Sequence, residues 1–172
     1  MLLKTQTDSY HKVSMSILKI LTLNVLIFAL AFFAASLIRN IDGWLGLTDF
    51  ESLLASVVGW LLIGAGLVFR FWASYTFYAN DVEVLKYTAQ GRLITSGPYA
   101  YTRNPLYIGI VLIFLGAAVV LGSYAGVIAA IILFMFWDIW VRGYEEGNLE
   151  RAFGSEYPQY KNSVPRWFPR MR

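Results

Sequence analysis

The stretch NPLYIGIVLIFLGAAVVLGSYAGVIAAIILFMFW, Asn104–Trp137, contains no charged residue over 34 positions. Crossing about 30 Å of hydrocarbon takes roughly 20 helical residues, so this stretch is too long for one span. Gly122, Ser123, Tyr124 and Gly126 break it near the middle, where such residues favour a turn. The stretch therefore predicts a tight helical hairpin within a membrane. Two further charge-free runs, Ile20–Ile38 with 19 residues and Ser52–Phe69 with 18, each match one span. The expected fold is an all-α integral membrane protein of about four transmembrane helices, the last two forming the hairpin. A single domain over residues 1–172 is expected, with spans and flanks in 1–69 and the chemistry in 70–172.

Composition agrees. With 58% hydrophobic and 17% aromatic residues against 15% charged, the chain is far from a soluble mixture. The net charge of +3 comes from basic residues scattered between apolar blocks, with no basic stripe interleaved with aromatics, so nucleic acid is not an expected partner. The absence of cysteine excludes disulfides, cysteine zinc sites, iron–sulfur clusters and thiol nucleophiles. His11 is the sole histidine, which leaves no plausible metal set and no convincing Ser/His/Asp hydrolase. Ala29-Leu30-Ala31 resembles a signal-cleavage site, but the apolar run continues seven residues beyond it, which favours an uncleaved anchor.

Four spans put the amino terminus, the segment between the second and third spans, and the tail on one side. These hold 13 of the 14 lysines and arginines, and only Arg39 lies opposite. Cytoplasmic flanks carry excess Lys and Arg, so both termini are predicted cytoplasmic. The central segment, about Ala73 to Arg103, is no span, because Asp81, Glu83, Lys86 and Arg92 interrupt it. Val82-Glu83-Val84 alternates, Gln90-Gly91 marks a turn and Ser96-Gly97-Pro98 ends what precedes it, so short extended pieces and an interfacial helix both fit.

Three clusters carry the candidate chemistry. Gly97–Gly109 runs from polar loop into membrane: Pro98 and Pro105 fix its path, Gly97 and Gly109 permit close backbone approach, and Pro105 marks a helix amino terminus able to receive an anion. A helix-leading loop with interfacial tyrosines is the plainer reading. Asp138, Arg142, Glu145 and Glu146 follow at spacings that place Asp138, Arg142 and either glutamate along one helical face, either as a buried ionisable site or as a salt-bridge ladder finishing the helix. The tail, with Phe153, Tyr157, Tyr160, Trp167 and Phe168, is too aromatic for a solvated extension and reads as a lid or as a surface anchor.

The set Leu93-Ile94-Thr95-Ser96-Gly97-Pro98-Tyr99, Arg103-Asn104-Pro105-Leu106-Tyr107-Ile108-Gly109, Glu145-Glu146 with Leu149, Phe153-Gly154-Ser155-Glu156-Tyr157, Tyr160 and Val164-Pro165 closely resembles the isoprenylcysteine carboxyl methyltransferase family. The likeness runs from about Arg70 to Pro169 with order and spacing kept. It implies an S-adenosylmethionine-dependent methyltransferase whose cytoplasm-facing cofactor pocket is built from the hairpin, its preceding loop and the folded tail, with a lipidic or prenylated acceptor arriving from the bilayer. Carried over position by position, the resemblance implies cofactor contacts at Gly97, Tyr99, Asn104, Pro105, Tyr107, Gly109, Glu145, Glu146, Tyr157 and Tyr160; Arg103, Arg142 and Asp138 are the catalytic candidates on chemical grounds. Methyl transfer needs no metal.

The chain has Asn104 where that family usually has histidine, and asparagine cannot take up a proton. The related phospholipid N-methyltransferases often carry Asn-Pro there, with a Gly-x-Gly in an earlier span like Gly64-Ala65-Gly66, although helix packing is the commoner reason for such small residues in membranes. A carboxylate acceptor would need only orientation, by Arg103 or Arg142; an amine acceptor would need a base, for which Asp138 is the candidate. A phospholipid N-methyltransferase is therefore the first alternative. A non-catalytic multispan protein is the second, and a membrane reductase, whose usual set of spans exceeds this length, the last.

Overall fold

The computed structural model describes the backbone of residues 2–80 and 92–168 and the side chains of 17–80 and 92–168. Among the described residues, six α-helices follow one another: α1 (Leu2–Trp44), α2 (Leu53–Ala79), α3 (Pro105–Val120), α4 (Tyr124–Trp140), α5 (Glu146–Phe153) and α6 (Glu156–Ser163). A 3-10 turn, Gly97–Ala100, precedes α3, and a π-helical turn, Val141–Glu145, joins α4 to α5. There is no strand among the described residues. The alternation at Val82-Glu83-Val84 and the turn at Gln90-Gly91 lie outside them.

Among the described residues, three apolar segments are long enough to cross a membrane: Ile17–Trp44, Leu53–Ala79 and Tyr124–Phe153. The fourth, α3, is shorter at 16 residues, about 24 Å at 1.5 Å per residue. The all-α membrane fold expected from the sequence is therefore the observed one, and its last two spans are the expected hairpin. Leu121, Gly122 and Ser123 connect them; Gly122 sits at φ +63, the left-handed region that glycine adopts without strain. Ser123 accepts a hydrogen bond at Oγ from the Gly126 amide (2.9 Å) and so caps α4.

Both long helices outrun the charge-free stretches. α1 continues past Arg39, whose guanidinium reaches Asp49 and Glu51 at the surface. Asp42, fully buried, then binds α4: its Oδ2 accepts from Ser123 Oγ (2.6 Å) and its Oδ1 from the Ala125 amide (2.9 Å). This carboxylate sits at the positive end of a helix dipole. α2 starts at the Ser52 cap, whose Oγ accepts from Ala55 N, and runs through Arg70 to Ala79.

α2 and α3 are antiparallel and meet backbone to backbone. A Cβ on Gly59 would lie 2.8 Å from the Gly116 carbonyl oxygen, and one on Gly109 would lie 2.9 Å from that of Gly66. Small residues let membrane helices approach this closely, where dispersion replaces a hydrophobic drive. Gly66, of the Gly64-Ala65-Gly66 triplet, is thus spent on helix packing, while Gly64 has nothing within 4 Å. Ala31 and Ala35 of α1 pack with Ile113, Phe114 and Ala117 of α3 and Ala130 of α4, which closes the half of the bundle near the hairpin turn. The other half stays open around the site.

Candidate active site

At the end of the bundle away from the hairpin turn, three elements converge: the C-terminal third of α2, the loop leading into α3, and the segment that follows α4. Gly97 has φ +62, and a Cβ there would stand 2.6 Å from Thr76 Oγ1, so only glycine lets the loop close onto α2. That closure sets Tyr99 edge-on against Phe77, with ring centroids 5.1 Å apart.

The tail is strapped across this loop. Arg103 donates from its amide to the Pro165 carbonyl and from Nε to that of Val164, both at 3.0 Å. Thr102 Oγ1 and Asn104 Nδ2 both donate to the Arg166 carbonyl, at 2.9 and 3.1 Å. Asn104 therefore precedes Pro105 at the start of α3 without capping it; its amide holds the strap. Tyr160 donates to the Tyr99 carbonyl at 2.7 Å, and Leu149, Phe153, Tyr157, Tyr160 and Val164 form one apolar cluster beneath. Burial pushes the Tyr157 and Tyr160 phenols up, so both remain protonated donors at neutral pH.

The two glutamates separate in role. Glu145 faces inward and accepts from the Tyr107 hydroxyl (2.7 Å), whose ring stacks on Trp137. Glu146, its side chain only 6% exposed, faces the strap. Its Oε1 accepts from Arg103 Nη1 (2.8 Å) and Arg166 Nε (2.6 Å), and Lys161 stands 3.3 Å from its Oε2. The pairing with Glu146 holds the Arg166 guanidinium above its ordinary value. Arg103 also donates to the Tyr157 hydroxyl at 3.1 Å.

The converging elements enclose a cavity of about 380 Å³, within the roughly 300–1,000 Å³ of small-molecule sites. Tyr99, Arg103, Asn104, Pro105, Tyr107, Glu145, Tyr157 and Tyr160 line it. Among the residues named from the sequence, Glu146 lies one layer behind Arg103, Gly97 packs against the Thr76 side chain, and Gly109 packs against Gly66 and Arg70. Asp138 and Arg142 also stand outside the lining. They form the i,i+4 pair at 2.8 Å, Arg142 is 60% exposed, and Asp138 accepts from Trp167 Nε1 at 2.7 Å. The glutamates do not continue that ladder, because the π-turn between Arg142 and Glu146 widens the helix and shifts its register.

Arg70 is the lining residue that sequence reasoning passed over. It projects from α2 into the cavity, is 4% exposed, and its Nε has no hydrogen-bond partner among the described residues. No carboxylate pairs with it there, whereas Arg103 is neutralised by Glu146. Leu23 and Ile27 of α1, with Leu106 and Ile110 of α3, supply the apolar wall. The only sequence signal for Arg70 was a lone arginine adjoining an apolar run, where a membrane flank is the commoner meaning.

A family model described as phospholipid methyltransferase matches residues 54–156, from the first turn of α2 to the first residue of α6. The chain belongs to the phospholipid methyltransferase family. Among curated proteins it is similar to the protein-S-isoprenylcysteine O-methyltransferase of Schizosaccharomyces pombe (35% identical, 45% of this chain, 33% of that protein). It is also similar to the probable enzyme of that name in Oryza sativa subsp. japonica (31% identical, 69% of this chain, 63% of that protein). The Homo sapiens protein-S-isoprenylcysteine O-methyltransferase is 33% identical over 66% of this chain and 41% of its own length. The chain thus spans between one third and somewhat under two thirds of the length of these relatives. All of α1, and the chain after the first residue of α6 with the strap it leads into, lie outside the matched family segment.

Proposed function

We propose that the protein is a membrane-embedded methyltransferase that uses S-adenosylmethionine to methylate a lipidic acceptor bearing an anionic group, most like an isoprenylcysteine carboxylate. The observation that carries this reading is the buried Arg70, whose Nε has no hydrogen-bond partner among the described residues, lining one tyrosine-rich cavity with Glu145. A cavity with an acid, a buried guanidinium and electron-rich ring faces complements a zwitterionic sulfonium cofactor and an anionic acceptor together.

On this reading Glu145, held by Tyr107, receives the cofactor's ammonium group, and Tyr99, Tyr107 and Tyr157 provide ring and hydroxyl contacts. S-adenosylmethionine, when bound, would supply an electrophilic methyl to the acceptor oxygen, its sulfur keeping the bonding pair as a neutral thioether and the acceptor becoming an ester. Arg70 orients the acceptor anion, so no base is required. Leu23, Ile27, Leu106 and Ile110 take its apolar chain, and the strap keeps water out. The basic end of the bundle is proposed to face the cytoplasm, where the soluble cofactor is found.

Asn104 and the description of the family model favour a second reading, methylation of a phospholipid amine, in which Arg70 would hold the phosphate. The experiment is calorimetry with S-adenosylmethionine in nanodiscs, paired with transfer of labelled methyl to a prenylcysteine analogue or to phosphatidylethanolamine. Binding is expected for the wild type and loss for Glu145→Gln. Arg70→Gln should keep the binding and lower transfer to the prenylcysteine analogue at least about a hundredfold, the scale of removing one positioned charge. Absence of binding by the wild-type protein refutes the proposal, and label appearing only in phosphatidylethanolamine moves it to the second reading.

A further inference from the structure

A second concavity lies on the other side of the α1–α2 contact. Leu21, Val25 and Phe28 of α1 face Leu67, Val68 and Phe71 of α2 around a space of about 350 Å³ that opens toward lipid. One polar residue lines it. Asn24 is 6% exposed; its Nδ2 donates to the Ile20 carbonyl at 2.8 Å, while its Oδ1 is buried with no hydrogen-bond partner among the described residues. The contact to a carbonyl fixes which end of the amide points where, since a flipped amide would oppose two acceptors. An acceptor left unpaired at membrane depth is costly, because no water is there to satisfy it.

We propose that this groove binds a neutral membrane lipid that presents a single hydrogen-bond donor, its apolar body lying between Phe28 and Phe71 and its hydroxyl bonded to Asn24 Oδ1. Complementarity restricts the occupant. The lining carries no charge, so an anionic or cationic headgroup would be stranded in hydrocarbon, and a purely apolar chain would leave Oδ1 unpaired. Leu23 and Ile27, on the adjoining face of α1, line the candidate active site, and so does Arg70 beside Phe71. A lipid seated in the groove therefore braces the helix pair that carries one wall of the cavity. The site is independent of the reaction proposed above.

The test uses the full chain in phosphatidylcholine nanodiscs with a photoactivatable diacylglycerol, which has one hydroxyl, and its O-acetyl counterpart, which has none. The hydroxyl probe is expected to label peptides containing residues 21–28 and 67–71 about fivefold to thirtyfold more than the acetylated one, the range for one hydrogen bond between groups in a bilayer. Asn24→Leu should bring the two probes to the same low level, with thermal unfolding no lower than wild type since an unpaired polar group is removed. Val68→Trp, which fills the rim without touching Asn24, should exclude both. Equal labelling by the two probes, or labelling indifferent to both substitutions, overturns the proposal. So does cross-linking of α1 to a second copy with no lipid label, which would assign the groove to self-association.

Discussion

Glu146→Gln separates two roles that the residue could have. In the structure its carboxylate touches Arg103, Arg166 and Lys161 and stands behind the cavity, so its charge holds the strap to the start of α3. Removing one partner of a buried ion pair costs about 3–5 kcal/mol, and glutamine keeps an acceptor oxygen, which favours the lower end. Arg166 and Lys161 are 21% and 38% exposed, so each adds at most about 1 kcal/mol. A loss of about 3–4 kcal/mol corresponds to roughly a hundredfold to thousandfold rise in the detached strap, at 1.4 kcal/mol per decade. Because the chain has no cysteine, a single thiol reports this without background. Val164→Cys buries that thiol in the cluster with Tyr157 and Tyr160. Maleimide labelling of Val164→Cys with and without Glu146→Gln should differ by at least a hundredfold, with Glu146→Asp in between. A difference under twofold would mean that Glu146 does not secure the strap, and with it the division of labour between the two glutamates would fall.

Two further outcomes follow from the helix contacts. Gly109→Ala places a methyl 2.8 Å from Arg70 Cβ and 2.9 Å from the Gly66 carbonyl, so it should lower stability by about 1–3 kcal/mol in detergent unfolding, while Gly64→Ala should be neutral. Asp42→Ala removes two acceptors from the start of α4 and should cost about 1–2 kcal/mol, yet leave S-adenosylmethionine affinity unchanged by calorimetry, since it sits at the end of the bundle opposite the cavity.

The spans and the hairpin were legible because crossing a bilayer is a one-dimensional requirement, met by apolar length and broken by Gly122 and Ser123. The same criterion misplaced the helix ends. Ile38 and Phe69 were limits only because Arg39 and Arg70 come next, and a composition rule treats a charge as the edge of the membrane. α2 continues because Arg70 is sheltered by the close approach of Gly109, a fact of helix packing that no local window contains. The loop residues that line the cavity were legible as a cluster since they are contiguous. The contrast between Glu145 and Glu146 was not, because it depends on the π-turn, whose extra residue leaves no mark on sequence spacing.

The glycine contacts between α2 and α3 also bear on motion. With carbonyl oxygens under 3 Å from where a Cβ would stand at Gly59, Gly66, Gly109 and Gly116, neither helix can slide along the other without driving Ile63 or Val120 into backbone. This pair is the mast of the molecule, and it carries both Arg70 and Tyr107 into the cavity lining. On the function proposed above, ligand entry and exit then fall to the strap or the first helix. The parts free to move lie at the periphery, while the glycine-packed centre holds its register.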